Sequence, residues 1–173
     1  MTPLSVIIVN YKTPLLVLNC LQTVYEQTPI SGLEVFVVDN DSGDNSGKLI
    51  TSRFPQVRWI DMGYNAGFAR ANNQAIRQSS GQAVLLLNSD TLVENRAIER
   101  CWQNLMASPF VAAGVQLLNS DRTPQVTGNF FMRGGLNYLL PLPYLGSWIK
   151  KVANLFGVDP PNVPDATSLV EVD

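Results

Sequence analysis

The sequence contains no histidine, and this absence limits the chemistry open to it. Ser-His-Asp and Cys-His nucleophilic catalysis are excluded, as are a histidine general base and zinc sites with histidine ligands. The groups that remain are carboxylates, amides, hydroxyls, backbone N–H groups and metal ions held by oxygen. Any reaction carried by the 173 residues must use these groups.

Charge and cysteine are also scarce. Charged residues make up 15% of the chain, and 12 basic against 14 acidic residues give a net charge of −2. The longest basic run is Lys150-Lys151, so nucleic acid is not an expected partner. The two cysteines, Cys20 and Cys101, lie in helix-like segments. There, small buried apolar side chains are favoured over a disulfide or a reactive thiol.

Long hydrophobic runs are missing as well. No segment approaches the roughly 18 apolar residues of a membrane-spanning helix, and the first residues do not resemble a signal peptide. A cytoplasmic location is expected, with peripheral contact at the inner face of the membrane left open. That contact rests on residues 134–152, where aromatic side chains precede Lys150 and Lys151; an insertion packed on the protein body is the preferred interpretation.

Apolar segments rich in β-branched residues alternate with helix-like segments over the first two thirds of the chain. This order predicts an α/β protein with a mostly parallel, Rossmann-like sheet, strands buried on both sides and helices on both faces. The predicted strands are 4–10, 34–39, 57–60, 83–87 and 111–118, followed by a turn at 119–122 and a hairpin-like segment at 125–132. The predicted helices begin at Pro14, contain Leu49 and Ile50 as inward residues, and span 66–78 and 96–106.

Polar residues or glycine follow four of these strands. Ligands of parallel sheets bind beyond the carboxyl ends of the strands, so these positions are candidates for a site. Neither G-x-G-x-x-G nor a P-loop follows the first strand, which disfavours dinucleotide oxidoreductases and P-loop ATPases. Asp39 can bind a ribose or a base edge, or can cap the following helix instead. Asp90 is suited to a hard divalent cation shared with a diphosphate.

Four segments together resemble family 2 glycosyltransferases, and within them the bacterial rhamnosyltransferase-like branch. The segments are 4–10, 37–42, 65–72 and 86–90, and the resemblance extends over about residues 4–118. It implies a GT-A fold, a nucleotide-sugar donor, a divalent cation (Mn²⁺ or Mg²⁺) and inversion at the anomeric carbon.

The resemblance also implies roles for individual residues. Around the base and ribose it places Asn10, Tyr11, Asp39, Asp41 and Ser42. It places Asn65, Gly67 and Arg70 at the nucleotide and its phosphates, Asn88 at the sugar or ribose, and Asp90 at the metal. Asn88 stands where the family's Asp-x-Asp motif has its first acid, so it supplies a hydrogen bond but no charge.

The expected function is transfer of a sugar from a UDP- or dTDP-sugar to a saccharide or lipid-linked acceptor in bacterial cell-surface polysaccharide synthesis. Residues 1–133 are expected to form the nucleotide-sugar-binding core, and 134–173 a proline-rich insertion or linker towards an acceptor-binding half that is missing. The catalytic base is expected beyond Asp173, and the chain alone is expected to transfer sugar weakly or not at all. A non-catalytic nucleotide-binding or interaction module and a sugar-phosphate nucleotidyltransferase remain alternatives. Nothing in the sequence indicates an oligomeric state.

Overall fold

The structure is a computed structural model that describes residues 2–125. Strands and helices alternate strictly along most of this part of the chain. The strands are β1 (Leu4–Asn10), β2 (Glu34–Asp39), β3 (Arg58–Asp61) and β4 (Ala83–Leu87). The helices are α1 (Pro14–Gln27), α2 (Ser46–Arg53), α3 (Phe68–Ile76) and α4 (Ala97–Met106).

The four strands form one parallel sheet in the order β3-β2-β1-β4. The chain builds outward from β1 to β3 and then returns past β1 to place β4 on its other side. Right-handed crossovers in opposite directions put their helices on opposite faces of a sheet. The order therefore creates a switch point between β1 and β4, where a crevice opens at the carboxyl ends of the strands.

Helices cover both faces of the sheet, as the sequence predicts. One core combines Val6 and Ile8 of β1 with apolar residues of α1, α2 and α4. The second core, on the opposite face, packs Ile7 of β1 and Phe36 of β2 against Ala71 and Ala75 of α3. The central strands β1 and β2 are buried almost throughout, which explains their continuous apolar sequences.

Strand β4 differs from the prediction of a strand buried on both sides. Its Leu85 and Leu87 pack on the first core, whereas Val84 and Leu86 on the other face are 39% and 48% exposed. Within the described residues β4 is an edge strand, paired only with β1. A continuous apolar run does not reveal which strand of a sheet lies at the edge.

A polar network around the buried Ser5 and Glu34 side chains closes the amino end of the sheet. Glu34 accepts hydrogen bonds from the Ser5 hydroxyl (2.5 Å), the Ser80 backbone N–H (3.0 Å) and the Ser80 hydroxyl (3.1 Å). Arg58 forms an ion pair with the same carboxylate at 2.6 Å. The Ser5 hydroxyl in turn accepts the Gly81 N–H at 3.0 Å. This carboxylate is therefore fully partnered although it is buried.

The helices begin and end close to the predicted positions, but the start of one helix and the burial of one side chain differ from the prediction. Helix α3 begins at Phe68 rather than at residue 66, because Gly67 at its N-cap has a φ of 79°. In α2 Ile50 is buried as predicted, but Leu49 is exposed. The free cysteines lie in α1 and α4 as predicted, Cys20 buried and Cys101 partly buried.

The predicted strand 111–118 is wrong. Val111 is 99% exposed, and the segment contributes only an isolated bridge between Leu118 and Pro124. The predicted turn is confirmed, since the Arg122 N–H donates to the Asn119 carbonyl at 2.8 Å. An apolar segment without a neighbouring strand has no partner for its backbone groups and does not form a ladder.

Contacts divide the chain into two units, Met1–Ala113 and Gly114–Asp173, and the second is described only as far as residue 125. The predicted boundary at 133, most of the hairpin-like segment 125–132 and the proline-rich segment 134–173 lie outside the described residues and stay predictions. None of the helices described within residues 2–125 has the length and apolar character that crossing a membrane requires.

Candidate functional site at the carboxyl ends of the strands

A buried pair joins the carboxyl ends of β1 and β2. The Asn10 amide donates to Asp39 Oδ1 at 2.6 Å and to Ser42 Oγ at 3.0 Å. Ser42 completes the arrangement, because its hydroxyl donates to Asp39 Oδ1 at 2.5 Å and its backbone N–H to Asp39 Oδ2 at 3.0 Å. Asn10 is fully buried. It therefore fixes the position of Asp39, and its contact with a base stays a prediction.

The turn from β1 to α1 is anchored to this pair and projects Tyr11 outward. The Lys12 N–H donates to Ser42 Oγ at 2.9 Å, and the Thr13 N–H to Asn10 Oδ1 at 3.3 Å. Lys12 adopts a φ of 58°. Tyr11 is 45% exposed, with the Lys12 ammonium 5.2 Å from its ring centroid. An exposed ring on a fixed turn is a surface on which a planar base can stack.

A cavity of about 490 Å³ lies at the switch point between β1 and β4. We call it the central cavity. Its lining comes from strand β1, from the loops that follow all four strands and from the first turns of α1 and α3: Val9, Tyr11, Thr13, Leu16, Asn40, Asn65, Gly67, Phe68, Asn88, Ser89 and Asp90. Five of the predicted site residues thus share one cavity, although up to 79 positions separate Tyr11 from Asp90 in the sequence.

The loop before α3 forms one wall of the central cavity and is held in place by Asn40, the residue that follows β2. Asn40 accepts the Ala66 N–H at 2.8 Å and donates to Asn65 Oδ1 at 3.0 Å. Asn65 also accepts the Gly67 N–H at 3.1 Å. Asn65 therefore stabilises the approach to α3, but Gly67, not Asn65, is the N-cap residue of that helix.

The segment after β4 forms the opposite wall. Asn88 and Asp90 are exposed, and the Asn88 carbonyl accepts the thiol of buried Cys20 at 3.7 Å. Burial, and then the charge of Asp90, raise the pKa of Cys20 to about 12. The thiol is thus protonated and can donate its hydrogen bond to the segment after β4. Among the described residues Asp90 has no hydrogen bond or ion pair, so its carboxylate is available to a ligand.

A second cavity of about 280 Å³ lies between α2 and the ends of β2 and β3. We call it the acidic cavity, since its lining includes Asp39, Asp41, Asp44 and Asp61, with Lys48 as the basic residue. Hydrogen bonds from the Ser46 side chain and backbone hold the pKa of Asp44 below its usual value. Asp44, rather than Asp39, binds the first residue of α2, so the alternative role of Asp39 as a helix cap is wrong.

The predicted site residues differ in which cavity they line. Tyr11, Asn65, Gly67, Asn88 and Asp90 line the central cavity, and Asp39 and Asp41 line the acidic cavity. Asn10 and Ser42 are buried behind them. Arg70 is exposed on α3 and lines neither described cavity.

Six residues that line the central cavity were not among the predicted site residues: Val9, Thr13, Leu16, Asn40, Phe68 and Ser89. Asn40 lies in the polar run after β2, where its neighbours Asp39 and Asp41 drew attention instead. Leu16 and Phe68 have apolar side chains on helices and give no polar signal, yet they are 44% and 55% exposed. Only their exposure beside a cavity identifies them.

The described residues supply part of the ligand set that a divalent cation requires. Asp90, Ser89 and Asn88 offer one carboxylate and neutral oxygens at one edge of the central cavity. No group of three or more acidic or cysteine side chains suited to a metal was found within residues 2–125. Mg²⁺ and Mn²⁺ sites of this kind use one or two carboxylates and complete their shell with water and substrate phosphates.

Comparison with known proteins decides the family. The model of "Glycosyl transferase family 2" matches residues 5–158. The chain belongs to this family.

Curated relatives of this family 2 chain carry glycosyltransferase names. Glycosyltransferase GlyG of Streptococcus pneumoniae is 28% identical over 131 residues, which is 74% of this chain and 42% of GlyG. The low-salt glycan biosynthesis hexosyltransferase Agl10 of Haloferax volcanii is 29% identical over 147 residues, 80% of this chain and 46% of Agl10. The chain therefore spans less than half the length of these relatives.

Solved structures agree with the GT-A fold. Mannosyltransferase PcManGT from Pyrobaculum calidifontis, in complex with GDP-Man and Mn²⁺, has a TM-score of 0.60 and 26% identity; the match covers 67% of this chain and 35% of that protein. Residues 1–349 of S. aureus TarS have a TM-score of 0.54 and 20% identity; the match covers 61% of this chain and 32% of that fragment. The predicted fold class is confirmed, and the chain corresponds to part of the larger enzymes.

Proposed function

We propose that this chain is the donor-binding part of an inverting glycosyltransferase. It takes a UDP- or dTDP-sugar and serves transfer to a saccharide or lipid-linked acceptor in bacterial cell-surface polysaccharide synthesis, in the rhamnosyltransferase-like branch. One observation carries the proposal: the central cavity at the β1/β4 switch point joins an exposed aromatic ring, amide groups and the carboxylate of Asp90, which has no hydrogen-bond or ion-pair partner among residues 2–125. Family membership gives this cavity its chemical context.

The base and ribose are assigned to the ends of β1 and β2, where Tyr11 lines the central cavity and Asp39 and Asp41 line the acidic cavity. Tyr11 offers its ring to the base, and Asp39 and Asp41 offer carboxylate oxygens to the N–H edge of the base or to ribose hydroxyls. Asn10 and Ser42 act behind Asp39 by holding its carboxylate in place. Uracil and thymine both carry the N–H that such an acceptor recognises.

The phosphates are assigned to the walls formed by the loop before α3 and by the segment after β4. Asn65 and Gly67 approach them from one side, and Arg70 on the exposed face of α3 can swing towards them as a counter-charge. Asn88 is placed to bind a hydroxyl of the sugar or ribose.

Asp90, with Asn88 beside it, would hold a Mn²⁺ or Mg²⁺ ion. The PcManGT complex with GDP-Man and Mn²⁺ supports this use of the fold. Such an ion neutralises the departing nucleoside diphosphate, which lowers the barrier to breaking the anomeric C–O bond. No residue among 2–125 is assigned as the base that deprotonates the acceptor, and a base beyond Asp173 stays a prediction.

Calorimetry of the 173-residue chain with UDP, dTDP and GDP, with and without Mn²⁺, tests the proposal. We expect metal-dependent binding of UDP or dTDP, weakened at least about tenfold by Asp90→Ala, since a charge-assisted contact is worth about 1.5–3 kcal/mol. Glu26→Ala is the control, because Glu26 is an exposed acid near the end of α1 away from the site.

The other outcomes are equally informative. Absence of nucleotide binding would favour an interaction module, and preference for a nucleoside triphosphate would favour a nucleotidyltransferase. Tight binding of GDP alone would contradict the proposed donor but not the family.

A further inference from the structure

Asn40 connects the end of β2 to the loop that walls the central cavity. Its backbone N–H donates to the Asn10 carbonyl at 2.9 Å, which fixes its main chain beside β1. Its side chain is buried, with only 6% of the residue exposed. Both ends of the amide are used by consecutive loop residues: Oδ1 accepts from Ala66 and Nδ2 donates to Asn65. One rigid residue thus determines where the loop lies.

The contact with Asn65 also fixes the orientation of a second amide. Asn65 Oδ1 accepts two hydrogen bonds, from Asn40 Nδ2 at 3.0 Å and from the Gly67 N–H at 3.1 Å. A backbone N–H can only donate, so the atom that faces it must be the oxygen. The Asn65 NH₂ group is left without a protein partner among the described residues, on a residue that is exposed and lines the central cavity.

We propose that Asn40 is a positioning residue, which locks the Asn65 amide so that the central cavity presents N–H donors to an oxygen of the bound nucleotide. The inference rests on the proposed function and adds a specificity rule to it. The ligand atom facing Asn65 must be an acceptor, either a phosphate oxygen or a ribose oxygen. Without Asn40 the Asn65 oxygen keeps only the Gly67 N–H of its two donors, so the amide is held less firmly. When it turns, it presents an oxygen that repels both kinds of acceptor.

A double-mutant cycle on nucleotide affinity tests this coupling. The ligand is UDP with Mn²⁺, with uridine as the arm that lacks phosphate. Asn40→Ala and Asn65→Ala are each expected to weaken UDP about tenfold, which is the loss of one hydrogen bond to a charged group. The double variant should lose no more than Asn65→Ala alone, because Asn40 acts through Asn65. Independent losses of about a hundredfold in the double variant would overturn the proposal.

The uridine arm identifies the acceptor oxygen. If only UDP binding weakens, Asn65 binds a phosphate oxygen, and if uridine weakens equally, it binds a ribose oxygen; both results require an acceptor and support the rule. Asn72→Ala is the matched control. Asn72 is a buried asparagine whose amide donates to the Phe68 carbonyl at 3.0 Å. Asn72→Ala should therefore lower stability, and its effect on UDP affinity should not be coupled to that of Asn65→Ala.

Amide hydrogen exchange tests the positioning step without any ligand. Asn40→Ala should accelerate exchange at Ala66 and Gly67, whereas Asn40→Asp should keep Ala66 protected, because an aspartate still accepts but cannot donate to Asn65. Unchanged exchange in Asn40→Ala would overturn the positioning role even if UDP binds. If wild-type chain binds no nucleotide, the proposed function fails and with it the specificity rule, while the exchange result still decides whether Asn40 holds the loop.

Discussion

Strands β1 and β2 carry two similar polar pairs, one at each end of the sheet, with different surroundings. Ser5 and Glu34 are aligned at the amino end, and Asn10 and Asp39 at the carboxyl end. In both pairs the β1 residue donates to a buried carboxylate of β2, at 2.5 Å and 2.6 Å. Glu34 has a cation, Arg58, as a further partner, whereas Asp39 has no ion pair within the described residues.

The difference separates a carboxylate that stabilises the fold from one that is available for binding. A buried charge is tolerated when hydrogen bonds and a counter-charge satisfy it. At Glu34 the protein supplies all of these, so nothing remains for a ligand. At Asp39 residues 2–125 supply hydrogen bonds from Asn10 and Ser42 only, and the carboxylate lines the acidic cavity. A ligand N–H or hydroxyl can therefore complete its environment.

The largest effect on stability is expected from Glu34→Ala. The change leaves Ser5, Ser80 and Arg58 without their shared acceptor. The Arg58 side chain is 59% exposed and water solvates it after the change. We therefore expect the loss of about 3 kcal/mol of unfolding free energy to come mainly from the Ser5 and Ser80 donors that lose their hydrogen bonds. Urea unfolding at pH 7 measures this, with Glu26→Ala as the exposed control. A loss below about 1 kcal/mol would show that the amino-end network does not hold the sheet together.

Gly81→Ala is expected to disturb the same network by crowding. A Cβ at this position would lie 2.6 Å from both the backbone nitrogen and the Oγ of Ser5 and 2.7 Å from the Ala83 carbonyl oxygen. Because backbone atoms cannot move away cheaply, the unfolding free energy should fall by about 2 kcal/mol. Gln78→Ala on the exposed surface nearby is the control. Unchanged stability would mean that the loop before β4 shifts without cost.

Glu34 should also give the protein an acid-sensitive contribution to stability. Burial alone would raise the pKa of Glu34, but hydrogen bonds from Ser5 and Ser80 and the charge of Arg58 outweigh it and lower that pKa. The contribution is therefore complete above the unfolded pKa of about 4.3 and is lost as the pH falls through the folded pKa. Unfolding free energies of wild type and Glu34→Gln should converge as the pH falls below about 4.3. A constant difference would contradict this.

The two ends of the sheet also differ in how much of their structure could be predicted from the sequence. Strands β1, β2 and β4 have the predicted bounds, because their apolar runs stop at polar residues on both sides. The site was predicted where residues follow a strand directly, as at Tyr11 and Asp90. Asn40 also follows a strand directly, but no role was predicted for it, because its contact with Asn65, 25 positions away, is not apparent from the sequence. The exposed face of β4 and the absence of a strand at 111–118 depend on neighbours that a single sequence does not specify.

The smallest effect on stability, and the sharpest comparison of the two ends, is expected from Asp39→Asn set beside Glu34→Gln. Both changes keep the size of the side chain and remove one charge. Asp39→Asn should cost about 1–2 kcal/mol. No cation is left unpaired, but the new NH₂ group faces one of the donors that the carboxylate accepted, the Asn10 amide or the Ser42 N–H. Its UDP affinity should nevertheless fall about tenfold, because an amide holds a base or ribose donor more weakly than a carboxylate does. Glu34→Gln should lose more stability and keep wild-type affinity. Calorimetry measures the UDP affinity of both variants, and urea unfolding measures their stability. Equal losses of affinity would show that the two ends of the sheet are not functionally separate.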